Sequence, residues 1–262
     1  MRDDFDLLIY EFPENNDIKI YPISDLHIGA KECMLETWKS FVRQLKKEQN
    51  SYITIQGDMM NNGIKSSVTN IYEETMTPME QKKWLADQLS DIKDKILCVV
   101  PGNHENRSKK EVDDHPLYDV CCKLDIEDRY RENAAFIVVR IGDKDGAGTR
   151  NPTYTMCVIH GFGGGIYTGA SVNRNERFGT VIDNLDILIV GHAHKVVLTK
   201  PEKIVIDIQN KKVSYKPFNL VQATAWTKYG GYTLRKQMLP GSHALQEIIL
   251  RGNRKSVRVA ME

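Results

Sequence analysis

One pattern constrains this 262-residue chain more than any other, and it recurs five times: an apolar run that ends in polar, ligand-type residues, often through a glycine. IKIYPIS leads into DLHIG, ITIQ into GDMMNNG, ILCVVP into GNHENR, TMCVI into HGFGGG, and ILIV into GHAHK. Short apolar runs bounded by turn residues read as buried strands. Polar groups are costly where a strand emerges from a core unless something pairs with them. Asp25, His27, Asp58, Asn103, His104, His160, His192 and His194 therefore need a shared partner. Glycine beside them lets the backbone turn sharply and approach closely, and open α/β sheets carry their sites at the carboxyl ends of strands. Of seven histidines, five lie in these motifs, and only His115 and His243 fall outside.

Helical patterns separate the strands over the first two thirds. Residues 36–48 place Trp38, Phe41, Val42 and Leu45 at helical spacing, and residues 78–92 do the same with Trp84, Leu85, Leu89 and Ile92. Shorter helices are expected at 116–124, opening on Pro116, and at 172–184. FIVVRI and PTYTMCVIH predict a hairpin over the Gly-rich turn DKDGAGT. From Lys195 onward the chain is strand-rich, and these strands are expected to complete a second sheet. Alternation followed by strands predicts a layered α/β (α+β) architecture with two packed sheets. With no repeat or linker, residues 1–262 read as a single domain.

Lys plus Arg is 36 and Asp plus Glu is 35, so a net charge of +1 gives no global pull toward nucleic acid or an acidic membrane. Any polyanion site must be a local patch. No apolar run approaches the ~18 residues of a membrane span, and MRDDFDLLIYEF does not read as a signal peptide. Five cysteines without a CxxC pair read as reduced, mostly buried thiols of a cytoplasmic protein. Carboxylates with imidazoles suit manganese, iron, zinc, cobalt or nickel. A closed structural zinc site would use thiolates, and calcium or magnesium would use more oxygen. Asp58 follows a strand expected to lie centrally, which makes it the natural bridge between two cations.

The ordered set D-x-H, G-D-x(4)-G, G-N-H-E, a lone H-G and G-H-x-H, over residues 25–194, resembles the calcineurin-like metallophosphoesterase superfamily. The resemblance implies a four-layer α/β/β/α sandwich with a dinuclear metal site between the sheets. It implies one metal held by Asp25, His27, Asp58 and His194, and a second held by Asp58, Asn103, His160 and His192. His104 would then face the substrate. Two divalent cations, manganese foremost, about 3.5–4 Å apart would ionise a shared water for in-line attack on phosphorus. A protonated His104 would serve the leaving oxygen.

Substrate contacts are expected from Arg107, a bidentate phosphate donor, from Arg174 beyond the glycine run, and from Asn62. In GDMMNNG, Asn61 and Asn62 stand where protein serine/threonine phosphatases of the superfamily carry Asp and a phosphate-gripping Arg, which argues against that activity. The short stretch after His194 leaves little room for the DNA-capping domain of the superfamily's double-strand-break nucleases. TAWTKYGGYTLRK interleaves aromatics with cations, as base-stacking surfaces do, although exposed strand residues are the simpler reading. The expectation is a phosphodiesterase acting on nucleic acid or a nucleotide. The rivals are a phosphomonoesterase and a protein-interaction scaffold.

Overall fold

The computed structural model describes residues 3–67, 71–142, 151–163, 165 and 167–261, Tyr232 by its backbone alone. In chain order the elements are β1 (Leu8–Phe12), β2 (Ile18–Ile23), α1 (Leu35–Lys47), β3 (Ser51–Ile55), α2 (Pro78–Ser90), β4 (Ile96–Val99), α3 (Glu105–Val112), α4 (Pro116–Lys123), β5 (Ala134–Ile141), β6 (Thr153–Ile159), α5 (Thr168–Thr180), β7 (Ile187–Val190), β8 (Val197–Thr199), β9 (Glu202–Asp207), β10 (Lys212–Pro217), β11 (Asn219–Gln222), α6 (Gly231–Arg235), β12 (Gln246–Leu250) and β13 (Val257–Met261).

The helices follow from their caps and stripes. α1 buries Trp38, Phe41, Val42 and Leu45, with Glu36 in its first turn and Lys46 and Lys47 in its last, the charge order that suits a helix dipole. α2 opens on a capping box, Thr77 with Glu80, and carries Pro78 in its first turn. α3 has no apolar stripe and was not expected. α5 begins four residues earlier than the spacing predicts.

Two sheets form the centre. The six-stranded sheet runs β1-β5-β6-β7-β11-β8 and the five-stranded sheet β13-β12-β2-β3-β4. The strands after His194 divide between them: β8 and β11 join the first, β12 and β13 the second, rather than all completing one sheet. β9 and β10 form a separate hairpin whose Ile204, Ile206 and Tyr215 are about 70 % exposed (70 %, 73 % and 69 %). The turn expected between β5 and β6 lies outside the described residues.

Apolar side chains fill three spaces, which makes four layers. Ile20, Cys98, Ile137, Met156, Ile189 and Ile248 meet between the sheets. Ile53, Trp38, Leu85 and Leu117 pack α1, α2 and α4 on the outer face of the five-stranded sheet. Leu188, Phe218 and Ile182 cover the outer face of the other sheet. There α5 lies so close that a Cβ on Gly179 would meet the Phe218 ring at 2.4 Å. The fold is an α/β/β/α sandwich, and the cysteines within it are free, Cys98, Cys121 and Cys157 being buried and Cys122 exposed.

Register brings the motif loops together. β2, β3 and β4 are parallel, with Ile23 opposite Ile55 and Ile55 opposite Val99, so three chains leave the sheet side by side. β6, β7 and β11 are likewise parallel, with Ile159 opposite Val190 and Val190 opposite Gln222.

Candidate metal centre

The loops past these strand ends stay tied to one another. Asp25 N–H donates to the Gly57 carbonyl and His27 N–H to the Asp58 carbonyl, both at 3.0 Å. The two sheets are joined at the same place. His192 N–H donates to Asp25 Oδ2 at 2.8 Å, and His160 Nδ1 donates to the Gln56 carbonyl at 2.5 Å. Glycines make room. A Cβ on Gly102 would lie 2.1 Å from Asp58 Oδ1, and one on Gly191 would lie 2.0 Å from Ser24 Oγ.

Asp25, His27, Asp58, His192 and His194 all adopt positive φ, between 49° and 69°. Non-glycine residues hold that conformation at a cost of order 1–3 kcal/mol each, and only where the surroundings dictate it. Five such residues in one cluster mark a site whose side-chain directions outweigh backbone comfort.

Potential ligand atoms converge in three groups, each within 4.8 Å: Asp25, His27 and His194; His27, Asp58 and His104; Asp58, His160 and His192. Asp58 and His27 are shared between groups. Asn103 Oδ1 lies 3.1 Å from His160 Nε2. His27 and His194 turn Nε2 toward Nε2 at 3.1 Å, and His192 Nδ1 lies 3.2 Å from His160 Nε2. Asp25 Oδ1 is fully buried with no hydrogen-bond partner of adequate geometry, although His194 Nε2 is 3.1 Å away. Convergent imidazoles and an orphaned carboxylate oxygen are the donor set of a divalent transition metal.

Charge points the same way. Burial opposes ionisation of Asp25, yet His194 and then His160 hold its carboxyl down at about 2. Asp58 is also held well below the usual carboxylate range, against burial, by His160 and His104. Burial resists charge on His160, but Asp58 pushes it up to about 10. His27 is driven well below the ordinary imidazole range by burial, reinforced by His104 and His194. Two buried carboxylates in this space demand positive charge, supplied here by neighbouring imidazoles, and a bound divalent cation would serve the same need.

His104 sits at the edge of the cluster. Its Nδ1 donates to the Asn61 carbonyl at 2.9 Å, which turns Nε2 toward Asp58 Oδ2, 3.9 Å away. Burial lowers its pKa, with Asp58 pulling the other way. Asn62 is 1 % exposed and faces inward, its amide donating to the His104 carbonyl and to Ser108 Oγ, each at 2.8 Å. It braces the turn that carries His104 and does not reach the cavity, contrary to the expected substrate contact. Arg174 donates to the Phe162 carbonyl and also lies off the cavity wall. Arg107 lines the cavity, donating to the Asn61 carbonyl at 3.3 Å.

The motif reading missed Glu105. Its buried carboxylate accepts N–H bonds from Asp58, Met60 and Gly102 at 2.8–3.0 Å, fastening the GD loop to the GNHE loop. Burial and the Asp58 charge raise its pKa to about 7. Its place beside His104 in GNHE was the available signal. His243, set aside as outside the motifs, lines the same cavity of about 420 Å³. Trp226 is 5 % exposed, packed among Trp38 and Phe41, so it offers no stacking face to a base.

The chain is 24 % identical over 144 residues to the DNA polymerase II small subunit of Thermoplasma acidophilum, a match covering 52 % of this chain and 28 % of that protein. This chain thus spans less than a third of that relative. Among solved structures it overlaps Chaetomium thermophilum Vps29 (10 % identity, 94 % of this chain and 97 % of that one, TM-score 0.39). It also overlaps the hypothetical protein PH1004 of Pyrococcus horikoshii (10 % identity, 93 % and 87 %, TM-score 0.42). Overlaps this loose say nothing about activity. The sequence profile described as calcineurin-like phosphoesterase matches residues 18–196, well over half the chain. This protein therefore belongs to the calcineurin-like phosphoesterase family.

Proposed function

We propose that the protein is a metal-dependent phosphodiesterase acting on a nucleotide or nucleic acid, with manganese as the working metal. The observation that carries this reading is the convergence of three groups of potential ligand atoms, linked through His27 and Asp58, with His104 in the group that joins the other two. In this reading Asp25, His27, Asp58 and His194 hold one cation and Asp58, Asn103, His160 and His192 the other, with Asp58 common to both. Bound there, divalent cations would supply Lewis acidity and lower the pKa of a water molecule toward neutrality.

The protein's own residues orient the ester. Asn61 holds the Nδ1 proton of His104, so Nε2 is the atom that faces a phosphoryl oxygen. A phosphate at Nε2 favours the imidazolium, which gives its proton to the leaving oxygen as the P–O bond breaks. Water contributes the hydroxyl that bonds phosphorus, so one diester and one water yield a monoester and an alcohol. Arg107 steadies a phosphate oxygen from the cavity wall. The inward turn of Asn62 supports a role other than protein phosphatase, because nothing at that position grips phosphate. The polymerase small subunit among its relatives is in keeping with nucleotide chemistry.

Assaying manganese-loaded protein with bis(p-nitrophenyl) phosphate and with p-nitrophenyl phosphate tests the reading. Faster turnover of the diester is expected. Turnover of the monoester alone would make it a phosphomonoesterase, and no bound metal with no turnover would leave a scaffold.

A further inference from the structure

The chain after β11 encloses the cavity opposite the ligands. Trp226 N–H donates to the carbonyl of Asp25 at 3.0 Å, and the Trp226 carbonyl accepts from Met34 N–H at 2.8 Å. Thr224 Oγ1 donates to the Ser242 carbonyl at 3.1 Å, so both ends of the stretch 227–241 are fastened at one point. Gly241 packs against the His194 carbonyl so closely that a Cβ would lie 2.6 Å from it. Within the stretch, Tyr229 Oη donates to the Met238 carbonyl at 2.8 Å and Thr233 Oγ1 to the Gly230 carbonyl at 2.7 Å. From outside, the Glu32 carbonyl accepts the Lys228 N–H at 2.8 Å. This is a compact Ω-type loop, anchored to backbone groups of two candidate ligands, Asp25 and His194.

The loop contributes Lys228, Tyr229, Arg235, Met238 and Leu239 to the cavity wall. The cavity volume, about 420 Å³, lies in the range of sites for small molecules. Tyr229 is 42 % and Leu239 56 % exposed, which puts an aromatic face and apolar surface on the same cavity as the candidate metal ligands. Among the carboxylates on the wall, Glu74 accepts from Asn61 Nδ2 at 2.8 Å and Gln81 Nε2 at 2.7 Å, while Glu32 points at Gly231, where the cations Lys228 and Arg235 also line the cavity. An anion with a flat ring fits this wall.

We propose that residues 227–241 form a subsite for the nucleoside of a small nucleotide phosphodiester, with Tyr229 as its stacking face and Lys228 and Arg235 meeting an anionic group beyond the scissile phosphate. The proposal rests on the phosphodiesterase reading above and narrows it. An internal bond of a long duplex needs an open groove on both sides of the phosphate, and this loop occupies one side, its ends fastened beside Asp25 and His194.

The test compares the 5′-phosphorylated dinucleotide pApA, bis(p-nitrophenyl) phosphate and covalently closed duplex DNA with manganese-loaded protein. The dinucleotide is expected to be the best substrate. Tyr229→Ala should lower the ratio of its kcat/KM to that for the nitrophenyl diester about tenfold, and so should Lys228→Ala with Arg235→Ala. Tyr229→Phe keeps the ring and removes the brace to Met238, so wild-type behaviour assigns the loss to stacking. Calorimetry with adenosine 5′-monophosphate in EDTA reads the subsite without metal, and Tyr229→Ala should weaken that binding by a similar factor. Unchanged ratios, a Tyr229→Phe variant as poor as Tyr229→Ala, or closed duplex cut as fast as pApA would overturn the subsite. If the wild type hydrolyses neither ester, the phosphodiesterase reading fails by itself. The calorimetry then decides, and absent or Tyr229-independent nucleotide binding rejects the proposal.

Discussion

Asp58 and Tyr229 face the same cavity from walls built on different terms. Asp58 is 2 % exposed, held at positive φ, and pressed between Gly102 and the Glu105 carboxylate. Tyr229 is 42 % exposed on a loop fastened at its two ends, its hydroxyl donating within the loop to the Met238 carbonyl. The ligand wall is fixed by strand register and backbone strain, and the loop wall by attachment at its two ends. On the proposed reading, chemistry that must be placed to a fraction of an ångström would sit on the first wall, and recognition on the second.

Substitutions in the two walls should therefore fail differently. Asp58→Ala is expected to have the largest effect, abolishing turnover of every ester and lowering the metal content measured by elemental analysis, because Asp58 serves two ligand groups. Retention of full metal would remove it from the centre. His104→Ala should keep its metal and lose about 10²–10⁴-fold in kcat, and wild-type rates would reject its proposed role. Glu105→Gln leaves one oxygen for three N–H donors. It should cost about 1–3 kcal/mol of stability in thermal unfolding and about 10–100-fold in metal affinity. Arg107→Ala should raise KM about tenfold through a lost charge-assisted hydrogen bond. Arg174→Ala, off the cavity wall, should stay within about twofold, and a larger change than that of Arg107→Ala would reverse the assignment of the two arginines.

The same contrast decides what could be read before the fold was known. The converging polar residues were legible because they follow apolar strands, often beside a glycine, and the helices α1, α2 and α4 were legible from their apolar spacing. α3 was not, since ENRSKKEV holds only one apolar residue and its helix follows from the tight GNHE turn. The inward turn of Asn62 was invisible because its partners, Ser108 and the His104 carbonyl, come from another strand end. Trp226 read as a surface aromatic because its neighbours Trp38 and Phe41 lie far away in sequence. The loop 227–241 carries no motif, and its meaning comes from two backbone attachments that no side-chain pattern records. β8 and β11 could not be told from β12 and β13, since the sheet a strand joins depends on pairing across the whole chain.

Trp226 meets two kinds of surroundings at once. Its indole packs edge-on against Trp38, with ring centroids 5.5 Å apart, while its amide holds the backbone of Asp25. Attempts to harden this protein by redesigning the α1 packing would thus shift the candidate metal site as a side effect. Conversely, a thermostabilised variant with altered metal binding should first be inspected at position 226.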